Sequence, residues 1–154
     1  MKLKLNFLFA ATLLVGISCN SSKKTTEATP KSETMIQAPF ENTEWQLVEV
    51  LGKPVNEYGE LTKTPTISFD SKEHRFSGNA GCNILNGSYK ILPGNRIQFG
   101  QVMSTMMACP DMKLEDIVSK TLPTLNTYMV YDNGDLIFTT NKMAPVLRFV
   151  KSQK

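Results

Sequence analysis

Three cysteines are the residues of this 154-residue chain best suited to covalent or metal chemistry. Cys82 sits at the centre of a glycine- and asparagine-rich stretch, SGNAGCNILNG (Ser77 to Gly87), and Cys109 follows in STMMACP. Two such thiols can join as a disulfide, stay unpaired in a core, or bind a soft ion. Met103, Met106, Met107 and Met112 surround Cys109, and thioethers with thiolates suit Cu(I). Methionine is also an ordinary core filler, and adjacent residues such as Met106 and Met107 point to opposite sides of an extended chain. Copper is therefore carried only as an alternative, and no cofactor is expected. His74, the single histidine, lies between Glu73 and Arg75 with no second histidine to build a zinc site. It reads as an exposed strand-end residue. A Ser-His-acid triad would have to use it, and no GxSxG elbow is present. Glu115 and Asp116 are adjacent in sequence and read as a solvated helix face. GNAGCN has two glycines but no helix pattern after it, so it is no phosphate-cradling loop. No constellation points to catalysis, and we read the protein as a non-enzyme.

The third cysteine has a different context. Lys2 and Lys4 precede an apolar run from Leu5 to Ile17, then Ser18 and Cys19. This is the order of a secretory signal peptide, residues 1–18, and the run is too short to span a bilayer. Cys19 after VGIS resembles the lipidated cysteine of a bacterial lipoprotein, although Gly16 stands where leucine is usual and Ser18 where glycine or alanine is. Residues 19–39 are polar, without hydrophobic periodicity, and read as a lipidated N-terminus and flexible tether. Several acyl chains on Cys19 would anchor the protein stably where one would be marginal. With Cys19 lipidated, Cys82 and Cys109 remain as a pair in an exported, oxidising compartment. A disulfide closing their loop of roughly 28 residues is worth about 3–4 kcal/mol in the chain-entropy model. It is the preferred reading, with a soft-metal site and unpaired buried thiols as alternatives.

Charge excludes one class of partner. The chain carries 17 basic and 14 acidic residues, and without Lys2 and Lys4 the count is 15 against 14. From Phe40 onward it is 12 against 12. Nucleic-acid binding needs a basic face with many phosphate contacts, and no such face is present.

The elements that would position these residues lie within 40–154. Short apolar runs with turn residues between them predict an antiparallel β domain. The strands read as Glu44 to Val50 with Trp45 as a core anchor, Thr66 to Asp70, His74 to Gly78, Gly87 to Leu92, Arg96 to Gly100, Thr127 to Tyr131, Asp135 to Thr140 and Pro145 to Val150. Asn133-Gly134 between two apolar runs is a strong hairpin signal. From Pro110 to Leu125 the period changes: Leu114, Ile117, Val118, Leu122 and Leu125 recur three and four apart, predicting one helix that Pro123 ends. The expected fold is mostly β (α+β), a small antiparallel barrel-like domain of about eight strands with one helix. Closure would leave no exposed edge.

Two blocks at this separation carry a family resemblance. The first comprises Gly78, Gly81, Cys82, Asn83, Gly87 and Tyr89, and the second Ser104, Thr105, Met106, Met107, Ala108, Cys109 and Glu115. With EWQLVEVLGKPV and the YDNGDLIF hairpin, they make the chain similar to the META/HslJ-like family of small bacterial envelope proteins. The resemblance implies a compact, barrel-like β domain, and links to heat-shock induction, novobiocin resistance and, in some parasites, virulence or motility. It implies no catalytic residues. For the motif glycines and Asn83 we expect a backbone role, since both tolerate positive φ.

The functional expectation is a membrane-tethered envelope lipoprotein whose domain is a stress-associated binding or scaffold module. A small-molecule or copper binder and an enzyme inhibitor are the alternatives. Expected partners are the membrane, through the lipid anchor, and an unidentified envelope protein or small molecule. The stretch after Cys19 lacks the acidic cluster resembling a surface-export signal, which favours the outer membrane, facing the periplasm.

Overall fold

Alternating burial marks several of the strands, and it decides which face of each turns inward. The computed structural model describes residues 39–142 and 144–153, together with the backbone of Met35–Ile36. The signal peptide, Cys19 and most of the tether thus lie outside the described residues. The strands are β1 (Met35–Ile36), β2 (Glu44–Val50), β3 (Lys53–Pro54), β4 (Thr66–Asp70), β5 (Arg75–Asn79), β6 (Ile84–Leu92), β7 (Arg96–Ser104), β8 (Thr127–Tyr131), β9 (Leu136–Thr139) and β10 (Pro145–Lys151). Trp45, Leu47 and Val50 of β2, Ile67 and Phe69 of β4, and Leu85 and Tyr89 of β6 all turn into the core.

Antiparallel pairing links β2, β4, β5, β6 and β7 in succession, and β10 joins β2 to β9. β9 pairs with β8 from Thr127↔Thr139 to Val130↔Leu136. β8 meets β7 at one ladder pair, Arg96↔Thr127, which completes a ring of eight strands. The eight-strand expectation holds for that ring. Two short strands fall outside it: β3 folds back on β2, and β1 adds to β8 at Met35↔Tyr131 and Ile36↔Val130. β1 belongs to the stretch read as tether. The Asn-Gly hairpin forms as expected, with Gly134 at φ +90° and its N–H donating to Tyr131 O at 2.9 Å.

β6 and β7 are longer than the sequence suggests, because Gly87 and Gly100, read as the first and last residues of strands, lie inside them. Gly87 is required by close approach. A Cβ there would fall 2.6 Å from Gln101 O and 2.7 Å from the Phe76 ring. The pairing also shifts register between Gly87 and Tyr89. The bulge bends both strands, as barrel closure needs.

Both mouths of the barrel are covered. The helix α1 (Lys113–Thr121) begins three residues after the expected Pro110, with Asp111 Oδ1 accepting the Lys113 N–H at 3.0 Å. Leu114, Val118, Leu122 and Leu125 are buried, and a 3₁₀ turn, Leu122–Thr124, carries Pro123. The gap left between Val118, Leu122 and the inward residues Leu47, Ile67, Leu85 and Phe149 is about 10 Å³, no larger than one water. At the other mouth Phe40 inserts its ring 4.9 Å from Phe69 and 4.6 Å from Tyr128. Trp45 Nε1 donates to Phe40 O at 2.7 Å, and the Tyr89 hydroxyl donates to the Glu41 carboxylate while lying 3.0 Å from Asp70 O. Between the mouths, Phe69 packs edge-on or tilted against Tyr89, Phe76, Phe99 and Phe138 at 5.3–6.4 Å. These aromatic contacts fill the barrel's middle with side chains.

Burial, then the hydrogen bond and charge of Glu41, hold the Tyr89 hydroxyl far above the usual tyrosine range, and burial with the Glu41 charge raises Tyr128. The folded state therefore keeps protons that the unfolded chain releases near pH 10. Their contribution is complete below about pH 10 and is lost as pH rises above it, by about 1.4 kcal/mol per unit for each fully retained proton. Urea unfolding at pH 9 and 11 should show a shallower decline for Tyr89→Phe than for wild type. Parallel declines would refute the assignment.

Candidate functional site

The sequence motifs gather at the α1 mouth. β5 ends at Asn79, Gly81 turns at φ +109°, and Cys82 and Asn83 lead into β6. Cys82 is bonded to Cys109 with Cα atoms 6.5 Å apart, so the expected disulfide is present. It leaves no thiolate for a soft metal, and a copper site would have thioethers alone. Among the described residues no three His, Cys, Asp or Glu side chains group as a metal site.

Asn83 is fully buried, and its side chain organises the loop between β7 and α1. Its Oδ1 accepts from Met107 N–H and Thr105 Oγ1, both at 2.8 Å, while Nδ2 donates to Met107 O at 3.3 Å. One side-chain amide thus pairs with both polar groups of one residue's backbone. Thr105 Oγ1 in turn accepts the Ile84 N–H at 3.1 Å, and Thr105 N–H donates to Ile84 O at 3.1 Å. Glu115, on the first turn of α1, accepts the Asn83 N–H at 3.0 Å on Oε2 and the Ser104 hydroxyl at 2.9 Å on Oε1.

Two expectations are corrected here. Glu115 is 5% exposed and bonded on both oxygens, not part of a solvated helix face. The pattern of apolar spacing could not find it, because its partners lie 32 and 11 residues away. Asn83 does not have positive φ; its role is the amide clamp. Of the motif glycines, Gly81 alone is left-handed, and Gly78 is required by contact, since a Cβ would fall 2.0 Å from Thr66 O.

The structure brings Cys82, Asn83, Ser104, Thr105, Met107, Cys109 and Glu115 together, and places Tyr89 at the opposite mouth. His74 is exposed, as expected, at the turn before β5, 5.8 Å from the Tyr89 ring. Around the clamp the methionines face outward: Met106 is 97% exposed and Met107 55%, with Met103, Met112 and Ile84 partly exposed beside them, and Ala108 also exposed. They do not fill a core. A separate polar groove of about 680 Å³ runs along β2, β4, β5 and β6, lined by residues such as Glu44, Ser68, Asp70 and Arg75. Asp70 is held below the usual carboxylate range by the Glu73 and Lys72 N–H groups, so it is a turn residue.

A family model described as META domain matches residues 38–153. No curated protein matches the chain. Among solved structures, the chain is similar to an NMR structure of a protein from Burkholderia xenovorans, at 22% identity and TM-score 0.56, covering 82% of this chain and 98% of that one. A second NMR structure matches at 24% identity and TM-score 0.53, covering 73% and 91%. A crystal structure of a DUF4847 family protein from Bacteroides vulgatus matches at 12% identity and TM-score 0.51, covering 75% and 96%. At these identities the likeness concerns the fold.

Removing the clamp takes away the partners of the Met107 N–H and C=O and of the Thr105 hydroxyl. Asn83→Ala should cost about 3 kcal/mol in urea unfolding. Cys82→Ala with Cys109→Ala should cost about 3–4 kcal/mol, matched by reductant on the wild type. Because both act on the Met107–Cys109 segment, the combined variant should deviate from additivity. An Asn83→Ala loss under 1 kcal/mol would remove the clamp from the account.

Proposed function

This chain belongs to the META domain family, and from that premise we propose that it is a membrane-tethered envelope lipoprotein whose domain is a non-catalytic binding or scaffold module. Cys19 carries the lipid, the segment after it sets the reach, and the domain faces the periplasm from the outer membrane. The stress association follows the family resemblance. The polar groups best placed for chemistry at the α1 mouth, Asn83, Thr105, Ser104 and Glu115, bond one another. That supports a structural role for them and none in catalysis.

One observation carries the binding reading. Met106, at 97% exposure, and Met107, at 55%, project from a loop fixed by a disulfide and a buried amide clamp. An apolar side chain on a frayed loop needs no explanation, but one presented on a rigid support resembles a contact surface. Methionine suits such surfaces because its flexible thioether adapts to varied partners. The aromatic packing of the barrel's middle disfavours a ligand held inside the barrel.

Cys19→Ser should abolish labelling with a lipid-chain probe and move the protein to the soluble fraction. Unchanged membrane association would refute the anchor. Met106→Glu with Met107→Glu should leave stability within about 0.5 kcal/mol, as surface changes do, yet abolish recovery of an envelope partner crosslinked to the wild type. Equal recovery from both proteins would refute the methionine face.

A further inference from the structure

The plugged mouth holds a second feature that the methionine face does not explain. Beside Phe40 an open cavity of about 370 Å³ is lined by Phe40, Ile91, Leu92 and Tyr128 and by the polar side chains of Glu41 and Asn95. Its volume falls in the usual range for small-molecule sites, roughly 300–1,000 Å³. Ile91 is 37% exposed and gives the cavity an apolar lip.

Glu41 is the unusual group. Its carboxylate accepts the Tyr89 hydroxyl, and none of the described ion pairs, which involve Lys113 with Asp111 and Arg148 with Glu49 and Asp135, includes it. The nearby phenols register its charge, since Glu41 contributes to raising both Tyr89 and Tyr128. A carboxylate in a wall of mixed apolar and polar groups, with a neutral hydroxyl as its partner, retains a preference for a cation. The Tyr128 ring in the same wall offers a cation a second favourable contact.

We propose that this cavity binds a small organic cation, an ammonium head on an apolar body, with Glu41 facing the charge and Tyr128, Ile91 and Leu92 facing the body. A divalent metal is disfavoured because Ca²⁺ needs six to eight oxygen ligands, and one carboxylate is available. An anion would meet Glu41. A neutral apolar ligand would leave the carboxylate desolvated and unmatched. The site is remote from the Asn83 clamp, and its failure would leave the methionine face untouched.

The test is a titration of the full ¹⁵N-labelled chain with phenethylammonium, followed by amide shifts of Glu41, Gly94 and Tyr128. The neutral 2-phenylethanol and the anionic 3-phenylpropanoate serve as comparisons. Phenethylammonium should shift these amides with a millimolar or tighter dissociation constant, and both comparisons should bind at least about tenfold more weakly. Glu41→Gln retains an acceptor for the Tyr89 hydroxyl and therefore keeps the plug; it should lose about tenfold in affinity for the cation. Ile91→Arg, at the exposed lip, should lose about as much without touching the core. Equal binding of the alcohol, wild-type affinity in either variant, shifts confined to other surfaces, or no shift at about 10 mM would each overturn the proposal.

Discussion

A sheet that closes on itself must join its two last edges, and this barrel does so with very little ladder. Among the described residues, β7 and β8 share the single pair Arg96↔Thr127, flanked by Ile97 N–H to Asn126 O and Tyr128 N–H to Asn95 O. Beyond that point β8 takes β1 as its neighbour, and the 3₁₀ turn Leu122–Thr124 packs against β7. A seam this short cannot rest on backbone hydrogen bonds alone. It depends on what fills the barrel and what covers its mouths. Phe40 contacts Phe69 and Phe138 inside the ring and Tyr128 on β8, so the plug bridges the barrel wall at the strand that needs it. The Asn83 clamp and the disulfide fix the other side, tying the end of β7 and the start of α1 to β6.

Much of this was legible in the sequence because it is local. Alternation places Ile67 and Phe69 together on one face of β4, Asn133-Gly134 makes a hairpin, and the three-four spacing of Leu114, Val118 and Leu122 marks α1. The disulfide followed from a count of thiols and a reading of the compartment. Illegible parts are those set by contacts far along the chain. Gly87 and Gly100 look like strand ends, and the nearness of Gln101, Phe76 and Ser88 that fits them to strand interiors comes from tertiary packing. Glu115 sits on a helix beside Asp116 and looks solvated, yet the Asn83 N–H and Ser104 hydroxyl are delivered to it by β6 and β7. Glu41 carried no signal, because its meaning depends on Tyr89, 48 residues away.

The motif residues therefore have two physical jobs, separated along the barrel axis. At the α1 mouth they hold a loop whose side chains are exposed. At the plug mouth Tyr89 holds the entry of the chain into the barrel, taking up Glu41 as Trp45 takes up the Phe40 carbonyl. Gly78 and Gly87 let neighbouring strands approach closely between these points. A family pattern built this way keeps a shape, and such a pattern need not keep one reaction.

The two mouths differ in what their polar groups have left over. In the clamp, Asn83 uses its carbonyl twice and its amide nitrogen on Met107 O, and both oxygens of Glu115 accept hydrogen bonds. Those groups have met their needs within the fold, so recognition there falls to the exposed thioethers, which are apolar and adaptable. Glu41 is different: it has a hydroxyl partner and a partly apolar wall, but no ion pair among the described residues. A fold that could have placed a neutral side chain at that position, and instead holds a carboxylate beside a cavity, keeps there an electrostatic preference that no ion pair among the described residues satisfies.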